Sequence, residues 1–139
     1  MKIEFLEKAN RELENTLNNG DSATYLKLKD KYIKENNISS AFWAAYDESC
    51  YCGLELIDFE QIIWINEFKE IMENLKKFKV KEFTISANRT DSIEIIKRFV
   101  DLGCEIIGVT TIKKPYQSNF ITGVFRCCDL KPAIKLKVG

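Results

Sequence analysis

Five cysteines and no histidine set the chemical vocabulary of this chain. Cys50 and Cys52 form a C-x-C pair, Cys127 and Cys128 are adjacent, and Cys104 stands alone. Two thiolate pairs invite the thought of zinc, but structural zinc knuckles use a C-x2–4-C spacing that neither pair has. On a strand, Cys50 and Cys52 would share a face, while Cys127 and Cys128 would point to opposite faces. The odd count and the lack of an apolar leader in MKIEFLEKANRE predict reduced thiols that pack as small hydrophobes, with no metal. Without histidine the commonest general base is gone, and so is Ser-His or Cys-His activation of a nucleophile. Acid–base work would fall to Glu, Asp, Lys, Tyr or Cys. Among the few arginines, Arg89 sits beside Asn88 in a polar loop and is the better ligand candidate.

The bulk numbers narrow the function classes. At 139 residues and 45% apolar, the chain suits one globular domain over 1–139. Lys plus Arg equals Asp plus Glu, 21 each, which argues against holding nucleic acid or an anionic membrane by bulk charge. Local basic runs exist at Lys76, Lys77, Lys79, Lys81 and at Lys131, Lys135, Lys137, and read as solvated faces. No stretch reaches the roughly 18 apolar residues of a membrane span, so a cytoplasmic protein is expected.

The elements that must position any site follow from periodicity. Leu6, Ala9, Leu13 and Leu17 recur at helical spacing and stop at Asn18-Asn19-Gly20, predicting a helix over about 7–17. Lys2–Leu6 is either a short strand or the start of that helix. Asp21 caps a second helix over about 22–35, ended by Asn36-Asn37. Ala41–Tyr46 is aromatic and short and reads as a strand, with Cys50–Ile57 as its hairpin partner. Residues 58–78 are either one long helix opened by the box Asp58-Phe59-Glu60-Gln61, or a strand Gln61–Ile65 and a helix over about 67–78. Lys81–Ser86 alternates as a strand. Asp91 caps a helix over about 92–102, and Gly103 is its C-cap. Strands are predicted at Cys104–Ile112, broken by Lys114-Pro115-Tyr116, and at Asn119–Cys127. Residues 129–139 read as an irregular or extended tail.

The order of these elements resembles the GNAT superfamily of acyl-CoA-dependent N-acetyltransferases. FWAAYDESCYCGLEL (Phe42–Leu56) is similar to the family's second and third strands, with Ala45 and Gly53 at its recurring Ala and Gly. FVDLGCEIIG (Phe99–Gly108) looks like the family's Leu-Gly end of the fourth helix, and Asn88 resembles its Asn before that helix. The resemblance implies an α/β (α+β) domain with a mixed, mostly antiparallel sheet of six to seven strands flanked by four helices. It also implies a pyrophosphate site at Asn66, Glu67 and Phe68, with Asn88 and Arg89 nearby. Here the chain departs from the family. The glycine-rich phosphate loop is absent, Glu67 places a negative charge where phosphate should sit, and Phe99 stands where a proton-donating Tyr is usual.

Two functions follow from that comparison. One is a GNAT-like domain with a degenerate acyl-CoA site that binds or inhibits without catalysis. It needs no cofactor, and its partner is a protein or small molecule. The aromatic group Phe42, Trp43, Tyr46 and Tyr51 is a candidate contact surface for it, with core as the plainer reading. The other is a divergent N-acetyltransferase using acetyl-CoA, with Glu55 or Glu60 deprotonating an amine through water. A monomer or homodimer fits either.

Overall fold

The computed structural model describes residues 2–59, 67–86, 92–117 and 126–139, and the side chains of all of these except 115–117 and 126–129. In chain order the elements are α1 (Glu4–Asn18), α2 (Ser22–Asn36), α3 (Ser40–Tyr51), β1 (Asp58–Phe59), α4 (Phe68–Lys77), β2 (Glu82–Ile85), α5 (Ser92–Asp101), β3 (Glu105–Gln117) and β4 (Arg126–Lys137). The general α+β character holds, but the six- to seven-stranded sheet with four helices is overturned. Among the described residues there are five helices and one four-stranded sheet, ordered β1-β2-β4-β3. β1 runs parallel to β2, and the other two pairings are antiparallel.

The first correction lies at 40–51. The expected strand Ala41–Tyr46 and its hairpin partner are instead α3 and the turn that follows it. Ser39 caps the helix by accepting from the Phe42 amide at 3.3 Å, and Ala41, Ala44 and Ala45 are strong helix formers. The buried residues Phe42, Trp43, Tyr46 and Ser49 follow a helical spacing, so their aromatic character reports burial rather than strand propensity. The aromatic group is therefore core: Phe42 and Tyr46 are fully buried, and of the four only Tyr51 is exposed. The GNAT-like second and third strands do not exist here.

The second correction is at the C-terminus. The expected tail 129–139 belongs largely to β4, which lies between β2 and β3. β3 does not break at Lys114-Pro115-Tyr116 but continues to Gln117. Prolines are tolerated there because β3 is the outer strand, and β4 pairs with β2 only over Ile134–Lys137, leaving Pro132 beyond that ladder. The predicted strands Gln61–Ile65 and, for the most part, Asn119–Cys127 lie outside the described residues, as do the Asp91 cap and any helix joining 59 to 67.

The other helices sit where the periodicity put them. Lys2–Leu6 enters α1 rather than a strand. Asp21 caps α2 through the Thr24 amide at 3.0 Å, and Asn37 ends it in the left-handed conformation. After α5, Gly103 has φ +105°, and the Cys104 amide bonds back to the Phe99 carbonyl, which closes the helix.

The sheet divides the molecule. One face carries Phe59, Phe83, Ile85 and Leu136, packed beneath α4 and α5. Phe99 is fully buried at its centre, with ring centroids 5.0 Å from Phe83, 5.1 Å from Phe68 and 6.0 Å from Phe59. Each such side chain contributes about 1.5–3 kcal/mol by leaving water. α1 packs Leu6, Ala9 and Leu13 into the same core. Polar bonds fix α1 against α3: Tyr46 donates to Glu7 at 2.6 Å and accepts from the Ile3 amide, while Trp43 donates to Asn10 at 3.0 Å. The opposite sheet face is polar, and α3 covers it near β1.

Candidate functional site

On that polar face the structure builds a closed ionic cluster that the sequence reading missed. The parallel register sets Asp58 opposite Thr84, so their side chains share a face, and Ser86 follows two residues on. Thr84 donates its hydroxyl to Asp58 Oδ1 at 2.6 Å, and Ser86 donates to Oδ2 at 2.5 Å. Lys114 Nζ, brought by β3, lies 2.9 Å from the same Oδ2. From α3, Ser49 Oγ accepts from the Asp58 amide at 2.9 Å, and Glu48 Oε1 stands 3.9 Å from Lys114. Asp58 is 1% and Lys114 3% exposed. A buried carboxylate survives only when paired and hydrogen-bonded, and this one has three donors on its two oxygens. Its chemistry is that of a lock: α3, β1, β2 and β3 are held at one point.

The signal was present. KEFTIS alternates Phe83 and Ile85 with Glu82, Thr84 and Ser86, so the two hydroxyls share a face that a polar partner can cover. Asp58, however, enters the sequence pattern only through the box that opens one of the two alternatives for 58–78, and Lys114 through the expected strand break at 114–116.

Beside the lock lies an open cleft of about 520 Å³. Its wall is the turn after α3, including Leu54 and Glu55, and its floor includes Thr84, Thr110, Ile112 and Lys135. Gly53, at φ +71°, makes that turn possible. Lys135 is held at 3.2 Å by Glu82 on the neighbouring strand. Thr84 is shared between lock and cleft. Its hydroxyl proton is given to Asp58, so Thr84 belongs first to the lock.

The predicted site residues separate. Glu55 lies exposed on the cleft wall. Phe68 is a core residue, with the Arg98 guanidinium 5.6 Å above its ring. Glu67 caps α4 by position but makes no side-chain cap bond, and its buried Oε2 has no hydrogen-bond partner. Glu60, Asn66, Asn88 and Arg89 lie outside the described residues. Cys50, Cys52 and Cys104 are thiols outside any disulfide, and the side chains of Cys127 and Cys128 lie outside the described set. Burial pushes the Cys50 and Cys104 thiols above their ordinary range, which favours the unreactive thiol form. Among the described residues no group of three or more His, Cys, Asp or Glu could hold a metal, and no helix is long and apolar enough to cross a membrane.

The span from α3 to the end of β4, which holds both lock and cleft, is where the chain is like other proteins. A family model described as a domain of unknown function, DUF7698, matches residues 41–138. The chain belongs to the DUF7698 family. In this member α1 and α2 lie outside the matched span, yet α1 supplies core residues to it and α2 packs partly buried ones, such as Tyr32 and Ile33, against it. No curated protein and no solved structure matches the chain.

Proposed function

We propose that this DUF7698 chain is a non-catalytic binding protein that takes a small polar ligand in the cleft between the turn after α3 and the polar sheet face. One observation carries the reading: the cleft offers groups that hold a ligand, while the strongest acid–base pair beside it is sealed. Asp58 and Lys114 satisfy each other away from water, so neither is free to move a substrate proton. The cleft volume falls within the range of small-molecule sites, roughly 300–1,000 Å³. The half-buried Thr110, the ion-paired Lys135 and the exposed Glu55 make it suited to a ligand with several hydrogen-bonding groups.

Acetyl-CoA is not the ligand this reading expects. At the start of α4, Glu67 already places a carboxylate in the positive end of the helix that a pyrophosphate would need. Phe99, with no proton to give, is locked in the aromatic core.

Titration calorimetry with acetyl-CoA should show no binding tighter than about 10 μM, equivalent to roughly −7 kcal/mol. Tighter binding together with acetylation of an amine would replace this reading with the acyltransferase one. A fragment screen by amide NMR should place shifts at Thr84, Thr110 and Lys135. Fragments that shift none of the three refute the cleft as the binding site.

A further inference from the structure

The lock beside the cleft is more than an ion pair, because its groups stand as the reactants of a condensation. Lys114 Nζ, a nucleophile once it gives up a proton, lies 2.9 Å from Oδ2 of Asp58, and that oxygen is bonded to the carboxyl carbon. Glu48 Oε1 lies 3.9 Å from the same nitrogen. Thr84 donates to Oδ1 at 2.6 Å and Ser86 to Oδ2 at 2.5 Å. Asp58 is 1% and Lys114 3% exposed, whereas the Glu48 side chain is 43% exposed. An amine, a carboxyl carbon, a proton carrier and two hydroxyl donors therefore meet at one point, and of these groups only Glu48 reaches solvent.

In water a lysine and a carboxylic acid do not condense, for two reasons. Both are held as hydrated ions, and water in excess drives hydrolysis. The buried site removes both obstacles. Fixed neighbours replace a chance encounter, and well-oriented pairs reach effective molarities of about 10⁵–10⁸ M. Two full charges held out of water carry a desolvation penalty that a neutral amide does not. Thr84 is aimed at the oxygen that stays on the carbon, where charge develops during attack. Ser86 is aimed at the oxygen that leaves.

We propose that Lys114 and Asp58 join in a spontaneous isopeptide bond, Nζ to Cγ, that ties β3 covalently to β1. One proton passes from the ammonium to the carboxylate, leaving an amine and a carboxylic acid. Nζ then attacks Cγ. The Nζ–Cγ bond forms, the Cγ–Oδ2 bond breaks, and Oδ2 departs as water. That water carries the proton already transferred and a second one from the attacking nitrogen, which Glu48 relays. The amide keeps one hydrogen on nitrogen, and nothing is oxidised or reduced. β1 and β3 are the outer strands of the sheet, so the bond closes it from edge to edge and makes the span 58–114 a covalent loop. The residues react once and with each other, which is self-modification and not turnover, and the cleft is left open for its ligand.

Intact mass spectrometry of the full chain, purified folded and then denatured with its thiols reduced, tests this. The wild type is expected at the mass of its sequence less one water molecule, and Lys114→Arg and Asp58→Ala at their full sequence masses. Tryptic digestion should yield segment 35–69, which carries Asp58, joined to segment 114–126, which carries Lys114. Glu48→Gln should slow the loss of water at least about 100-fold, followed by mass after pulsed cell-free synthesis, as removal of a proton carrier requires. A wild-type chain at full mass overturns the proposal. So does a loss of water confined to segment 35–69, the mark of Asp58 closing onto its own backbone. Loss of water in Glu48→Gln at the wild-type rate overturns the role of Glu48. Should Lys114→Arg and Asp58→Ala fold poorly, the wild-type mass and the joined peptides decide by themselves.

Discussion

Asp58 shows how much depends on one side chain. Its carboxylate binds Thr84, Ser86 and Lys114, and its amide binds Ser49, so removing it leaves a buried ammonium and two buried hydroxyls without their acceptor. Asp58→Ala should cost about 3–5 kcal/mol in urea denaturation, the usual consequence of stranding one half of a buried pair. A cost below about 1 kcal/mol would mean that water reaches Lys114 and that the lock is open. Tyr46 predicts a pH dependence. Burial first, and then its bond to Glu7, hold its hydroxyl well above the ordinary value of 10.0. The folded state therefore keeps a proton that the unfolded state releases. Stability from this group is fully present below pH 10 and is lost as pH rises above it. Thermal melts from pH 8 upward should show that decline, with a shallower slope in Tyr46→Phe. Equal slopes would assign the decline to other groups.

At the scale of elements, helix ends and helix junctions carry the testable content. Gly103 holds φ +105°, where a β-carbon is strained, so Gly103→Ala should lower stability by about 1 kcal/mol even though the added carbon would meet nothing within 4 Å. Asn74 on α4 joins the α2–α3 corner. Its Oδ1 accepts from the Ser39 amide at 2.8 Å and its Nδ2 donates to the Asn37 carbonyl at 2.9 Å. Asn74→Ala leaves both backbone groups unsatisfied and should cost about 2–3 kcal/mol. A cost under about 0.5 kcal/mol would show that water replaces the side chain there.

For the whole molecule, the question is whether the DUF7698 span stands alone. α1 and α2 precede the matched residues, but α1 covers Trp43 and Tyr46 with Leu6, Ala9 and the Glu7 and Asn10 bonds. Deleting residues 2–36 would expose an aromatic face that α3 cannot bury by itself. The fragment should lose cooperative melting by circular dichroism or precipitate. If it melts as sharply as the full chain, α1 and α2 are an appendage rather than part of the core.

Local physics determined four of the helices, several of their caps and the strand Glu82–Ile85, all legible from the sequence. A capping Asp21, a left-handed Asn37, the Gly103 stop and a 3.6-residue apolar stripe act within a few residues and need no partner from elsewhere. The composition also conveyed the α+β character. Only the tertiary structure decided the rest, because long-range contacts supply the missing information. Phe42, Trp43 and Tyr46 are compatible with strand or helix until α1 and Phe78 offer them a surface, and then the helix buries all three at once. The 129–139 stretch has a proline and three lysines, and it becomes strand because β2 and β3 flank its backbone on both sides. The lock is the clearest instance. Its ion pair joins Asp58 and Lys114, far apart in the chain, and no spacing rule links them until β1 and β3 reach the same face of the sheet.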